Sequence, residues 1–345
     1  MKARKMAAGL VLAGLALLAA CPSLALTLHE REIPVPSTVS DRMRENVARP
    51  YPADWLVKPM SLEEYTRVLN EANRGSDEKI LALAKSADVT MEERTMAGVR
   101  VFMATPKNIL PQNRDRLLIH VHGGGYVFFP GLIGAGEAIY MAHYGGIRCL
   151  SVDYRLAPQY PYPAALDDCM AVYREVLKGT PPEKVGLFGT SAGGSLVLSM
   201  VLRAKMEKLP MPGAICPATP WADLDKIGDS YFANEGVDNA LVRYEGWVGD
   251  AVKVYAPGMD LKDPLLSPVY GDFAGFPPTL LVAGTRDLFL SNTVRVHARM
   301  LEANVDARLI VHEALSHAQY LESFSAPETV FHFRELGKFF EQNLR

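Results

Sequence analysis

The chain has 345 residues, 49% of them hydrophobic and 22% charged, which is ordinary globular usage with enough apolar material to bury a core without disulfide staples. Its net charge of −3 comes with no block of like charges, which argues against a nucleic-acid-binding surface and against a charged interaction tail. The four cysteines, Cys21, Cys149, Cys169 and Cys216, include no CxxC pair, so neither a zinc site nor a thioredoxin-type motif is expected.

The first element is an export signal. Lys2, Arg4 and Lys5 precede an apolar run from Met6 to Ala20. Fifteen apolar residues are too few to span a bilayer comfortably, but they match a signal-peptide core. Two processing sites compete. Leu18-Ala19-Ala20-Cys21 resembles a lipoprotein box, in which Cys21 takes the lipid. Ser23-Leu24-Ala25 offers the small residues that an ordinary signal peptidase needs. Either way residues 1–20 leave, and the expected location is periplasmic or extracellular, with a lipid anchor to the membrane if Cys21 is modified.

Residues 27–60 carry Pro34, Pro36, Pro50, Pro52 and Pro59 and read as an irregular, exposed linker. Residues 61–85 alternate apolar and charged side chains at helical spacing, with Ser61 as N-cap candidate and Glu64 three residues on. One or two amphipathic helices are expected there, and residues 27–88 together read as a linker and helical cap.

From residue 89 the pattern becomes alternating strand and helix. Short apolar runs begin at Val99, Leu117, Arg148, Lys184, Pro212, Thr279 and Ala307. Helical stretches fall at about 134–144, 163–178, 192–207, 292–304 and 327–343. Continuous apolar strands separated by helices predict a mostly parallel sheet covered on both faces. Residues 221–264 are polar, aromatic and partly helical, and interrupt the alternation as an insertion. Cys149 and Cys216 fall in expected strands and Cys169 in an expected helix, so buried thiols are the primary reading. A Cys149–Cys169 or Cys169–Cys216 disulfide is the alternative in an oxidising compartment.

Two glycine-rich motifs carry the chemistry. Gly189-Thr190-Ser191-Ala192-Gly193 lies between an expected strand and an expected helix. This is the context in which GxSxG presents a serine on a tight turn at the end of a sheet. The helix beginning at Ala192 aims N–H groups and the positive end of its dipole at the site. Alone the motif is weak, since a helix-capping serine between glycines reads the same. His122-Gly123-Gly124-Gly125 follows the strand at 117–121. Three glycines let the backbone approach a substrate and aim N–H donors at a developing oxyanion. A phosphate loop fits less well, because neither GxGxxG spacing nor a following GKS or GKT is present.

HGGGYVFF at 122–129, VDYRLAPQYPYPAALDD at 152–168 and GTSAGG at 189–194 resemble the hormone-sensitive-lipase-like branch of the α/β-hydrolases, the bacterial family IV esterases. The resemblance covers about residues 89–340, with three motifs in order. It implies an α/β-hydrolase fold with a small helical cap, for which 27–88 and 221–264 are similarly placed. It implies oxyanion donors at Gly124, Gly125 and Ala192, and substrates that are small esters of short to medium acyl chain or lactones. Arg155 in the YRLAP segment is expected to be structural.

A serine needs a base, and the base needs an orienting carboxylate. On this fold the chain order is Ser, acid, His. Asp287 ends the strand beginning at Thr279, and His317 lies in the loop after the last strand. His312 and His332 fall in a strand and a helix, His297 is mid-helix, and His120 and His122 precede the nucleophile. Many relatives carry a second acid shortly after the first in a D-x-L-x-D pattern. Here the stretch reads Asp287-Leu288-Phe289-Leu290-Ser291-Asn292, which leaves Asp287 alone. Tyr126, Phe128 and Phe129 are candidates for an apolar pocket wall or for packing under the cap. No metal or organic cofactor is expected, and no protein partner. The rivals are an amidase or deacetylase with the same machinery, and a non-catalytic ligand-binding protein on this fold. The complete Ser191, Asp287, His317 set argues against the latter.

Overall fold

The computed structural model describes residues 32–50, 63–64, 67 and 76–345. The expected export signal with Cys21, and Ser61 with most of the segment after it, lie outside the described residues. The chain divides into two units, 1–34 and 35–345; the fold belongs to the second. Among the described residues no helix is long and apolar enough to cross a membrane.

The elements run α1 (Asp41–Ala48), α2 (Ser76–Ser86), β1 (Val89–Met96), β2 (Val99–Pro106), β3 (Leu117–Val121), α3 (Gly136–Gly145), β4 (Cys149–Val152), α4 (Ala164–Val176), β5 (Val185–Thr190), α5 (Ala192–Met206), β6 (Ala214–Ala218), α6 (Ser230–Ala233), α7 (Trp247–Tyr255), β7 (Thr279–Gly284), α8 (Leu290–Glu302), β8 (Ala307–His312) and α9 (Pro327–Asn343). The sheet has eight strands in the order β1-β2-β4-β3-β5-β6-β7-β8. β1 and β2 pair antiparallel, as do β2 and β4; every later pair is parallel.

The expected α/β layering follows from the strand period of two. Ile119, Leu187, Ile215 and Leu281 enter one buried cluster, with Cys169 of α4, Leu196 of α5 and Val296 of α8. Their neighbours Leu118, Phe188, Cys216 and Val282 enter the other, with Ile139 of α3 and Phe333 of α9. Both faces of each strand are therefore covered, which is why these strands read as unbroken apolar runs. Cys149, Cys169 and Cys216 are buried and free, so neither disulfide forms.

β1 departs from the sequence reading, which starts the sheet at Val99. Val-Thr-Met-Glu-Glu-Arg-Thr-Met is exposed at most positions, as suits an edge strand guarded by charge. It reaches the sheet through a two-residue hairpin at Ala97 and Gly98, with φ of 49° and 83°. Positive φ at both positions matches the right-handed twist of the flanking strands. β6 begins two residues later than expected and α8 two residues earlier.

Candidate active site

Ser191 sits between β5 and α5 with φ 65° and ψ −123°, a strained conformation that persists only where neighbouring structure over-determines it. The neighbours are backbone. A Cβ on Gly189 would lie 2.2 Å from the Val121 carbonyl oxygen, and one on Gly193 would lie 1.9 Å from the same atom. The elbow can press against β3 only because both positions lack side chains. The Ser191 N–H donates to the Ala218 carbonyl at 3.0 Å, and the Ser191 carbonyl accepts from Trp221 at 3.1 Å. These bonds tie the turn to the end of β6.

The glycine loop lies against this turn. Gly124 and Gly125 have φ of 99° and 59°, and a Cβ on Gly124 would meet the Phe128 carbonyl at 2.8 Å. Among the described residues, the N–H groups of Gly124, Gly125 and Ala192 donate to no acceptor within the protein. Free donors beside a serine hydroxyl are the kind of group that stabilises an oxyanion. His122 anchors the loop: its Nδ1 lies 2.8 Å from the Gly123 carbonyl, and its ring stacks on Tyr154 at 4.1 Å. Burial pushes the His122 imidazole down to about 4, so it stays neutral and donates Nδ1–H to that carbonyl.

Asp287 and His317 meet across the ends of β7 and β8. Asp287 Oδ1 lies 3.0 Å from His317 Nδ1 and accepts the Phe289 N–H at 2.7 Å. Asp287 Oδ2 accepts from the Thr219 hydroxyl, whose oxygen is also 3.1 Å from His317 Nδ1. Both side chains are buried. The Asp287 contact puts the proton on Nδ1 and leaves Nε2 as the basic atom; that atom is buried and has no partner among the described residues. Burial pulls the His317 pKa down, but the charge and hydrogen bond of Asp287, with the charge of Asp238, outweigh it and hold it above the ordinary histidine value.

Ser191, His317, His122, Gly123 and Gly124 line one cavity of about 380 Å³, within the range of small-molecule sites. Its apolar wall includes Ile80 and Leu83 of α2, Phe129, Ile133, Leu241 and Leu321. Tyr126 and Phe128, candidates for that wall, do not line this cavity. Tyr126 has φ 65°, and its ring packs away from the cavity, flat on Tyr255 at 3.8 Å; Phe128 meets Trp247 edge-on at 5.5 Å. Phe129 takes the wall position. The other histidines have separate work. His120 contacts Ser151 and Glu137 at 2.9 and 3.1 Å, His312 pairs with His332 at 3.4 Å, and His297 faces the Ala307 carbonyl. Arg155 is structural as expected, forked onto Asp168 at 2.8–3.1 Å.

Thr219 and Asp238 belong to the same cluster and carry no motif. Thr219 follows β6 with φ 34°, and only the spatial neighbourhood shows that it faces Asp287. Ser291 stands where D-x-L-x-D would place the second acid, and it bonds instead with Ser230 of α6.

A family model described as alpha/beta hydrolase fold matches residues 118–321. Over 193 residues the chain is 31% identical to an esterase of Acinetobacter venetianus, covering 55% of this chain and 63% of that protein, a little under two thirds of its length. It is 30% identical over 211 residues to an acetyl-hydrolase of Streptomyces hygroscopicus, covering 59% and 69%. The crystal structure of an esterase superposes with a TM-score of 0.89 at 39% identity, covering 93% of this chain and 99% of that one. An esterase from the bacterial hormone-sensitive lipase family gives 0.71 at 27%, covering 83% and 100%. The chain belongs to the α/β-hydrolase fold family, in its hormone-sensitive-lipase-like branch.

Proposed function

We propose that this protein hydrolyses carboxylic esters of small molecules through an acyl-enzyme on Ser191. One observation carries the reading: a strained serine, the free N–H donor of Gly124 and a carboxylate-bound imidazole share one cavity. His317 Nε2 takes the Ser191 proton as the hydroxyl oxygen bonds to the ester carbonyl carbon. The N–H groups of Gly124, Gly125 and Ala192 hold the oxyanion. His317 returns the proton to the leaving alkoxide as the C–O bond breaks. Water, deprotonated by the same nitrogen, then releases the carboxylic acid and restores Ser191. Asp287 fixes the tautomer and stabilises the imidazolium. Of the segments expected to form the cap, residues 76–86 and the 221–264 insertion cover the cavity, since Ile80, Leu83 and Leu241 supply its wall.

Purified protein should turn over p-nitrophenyl esters in preference to matched anilides, with lactones as a third arm. Ser191→Ala should cost on the order of 10⁴-fold or more in kcat, the loss typical when a nucleophile is removed from a working set. Near-wild-type ester turnover by that variant, free of contaminating esterase, would end the proposal.

Export rests on the basic start, the apolar run and Cys21. Lipid on Cys21 would put the mature protein in the membrane fraction, and Cys21→Ser would move it to the soluble fraction or leave it unprocessed. An intact cytoplasmic chain beginning at Met1 would remove the reading.

A further inference from the structure

Asp238 lies in the 221–264 insertion, far in sequence from Ser191, Asp287 and His317, yet it is fully buried beside the last two. Its Oδ2 accepts N–H groups from Leu288 at 2.7 Å and from His317 at 3.3 Å. Its Oδ1 accepts from Ala240 at 2.8 Å and Leu241 at 3.0 Å. Four backbone donors therefore surround one carboxylate, and no cation pairs with it among the described residues. Leu288 directly follows Asp287, and Leu241 lines the cavity. One side chain thus joins the acid's loop, the base's loop and the cavity wall.

We propose that Asp238 is a positioning residue for acyl transfer: a second carboxylate, supplied by the insertion, that sets the His317 loop by its backbone N–H and favours the imidazolium. This rests on His317 being the base of the proposed hydrolase. The next residue strengthens the clamp. Asn239 N–H donates to Ser316 Oγ at 3.1 Å, and its side-chain amide donates to the Asn46 and Arg49 carbonyls at 2.8 Å each. Gln319 Nε2 closes the ring by donating to Asn46 O and Asn239 Oδ1. The loop carrying His317 is therefore held from the insertion and from the end of α1 at once.

The ionisable groups that face Asp238 are Asp287 and His317. Burial and the Asp287 charge push the Asp238 carboxyl up to about 6, while His317 pulls the other way. Above that pH two carboxylates flank one imidazole. When His317 takes the serine proton, the new positive charge relieves the repulsion between them, so the charged form of the base is stabilised in the step that needs it.

Asp238→Asn keeps the shape and removes the charge. It should lower kcat on a p-nitrophenyl ester by about tenfold to a hundredfold, as expected for one member of a buried network, with KM changed by less than about threefold. The acid limb of kcat/KM should move to lower pH, because His317 loses a neighbour that raises its pKa. Asp238→Glu restores the charge and should bring the limb back toward its wild-type position. In unmutated protein, the ¹⁵N shifts of His317 should also respond to ionisation of the Asp238 carboxyl followed by ¹³C, a measurement that needs no variant to fold. An unmoved acid limb in a folded Asp238→Asn variant overturns the proposal even if kcat falls, since packing alone would do that. A His317 titration blind to the Asp238 carboxyl overturns it too. Neither result touches the hydrolase reading, which fails instead on active Ser191→Ala.

Discussion

The two halves of the site are held by different means. On one side, Ser191 and the Gly123–Gly125 loop are positioned by backbone against backbone: Val121, Thr190 and Ala218 carbonyls press where side chains are missing. On the other, Asp287 and His317 are positioned by groups drawn from distant segments, namely Thr219 after β6 and Asp238 and Asn239 in the insertion, with Gln319 of the His317 loop itself bonding to Asn239. The first arrangement is steric and local, so a single added methyl breaks it. The second is a distributed set of hydrogen bonds, in which one loss leaves the others in place.

That contrast gives its sharpest test at Gly193. A Cβ there would sit 1.9 Å from the Val121 carbonyl and 2.6 Å from that of His122, and neither backbone atom can yield without moving β3 against α5. Gly193→Ala should cost about 3 kcal/mol or more in urea unfolding, at or beyond the usual range for overpacking, and much of the protein should be lost on expression. A variant within about 1 kcal/mol of wild type would show that the elbow is not held by steric exclusion and would break the comparison.

The same contrast explains what could be read from the sequence. Close backbone contact demands glycine, and glycine at fixed spacing is visible as HGGG and GTSAG. The strand–helix alternation was legible because parallel strands are buried on both faces. Chain order alone pairs Asp287 with His317, since each ends or follows a strand, and the structure brings the two side chains into contact. Asp238 could not, because a carboxylate that accepts backbone N–H groups needs no partner type at any fixed distance along the chain. Thr219 was hidden for the same reason. β1 was missed because its edge position makes it charged, and the Tyr126–Phe129 run did not reveal which ring turns inward, because that depends on left-handed φ at Tyr126 and Phe129.

Buried histidines serve both halves, and their cost separates them on a finer scale. His122 stands behind the glycine loop; His312 and His332 stand behind the His317 loop. Burial pushes His122 and His312 down to about 4 and His332 well below the ordinary value, with His312 lowering it further. An unfolded chain binds these protons near pH 6.5, so stability is full above that pH and falls as pH drops toward 4. Each of His122 and His312 then withdraws on the order of 2 kcal/mol at pH 5. Asp238 acts in the opposite sense, since its raised folded pKa takes up a proton near 6 before an unfolded carboxyl does. His317, raised, contributes stability below its unfolded value that is lost only as pH rises through the folded one. Three histidines outweigh one carboxyl between pH 6 and pH 4, so unfolding free energy measured in urea should fall steadily over that interval. His332→Leu should reduce the slope by about one proton; a His122 substitution should reduce it similarly while also disturbing the glycine loop and turnover. A flat profile from pH 7 to pH 5, or a wild-type slope in His332→Leu, would show that these imidazoles do not stay neutral in the folded protein.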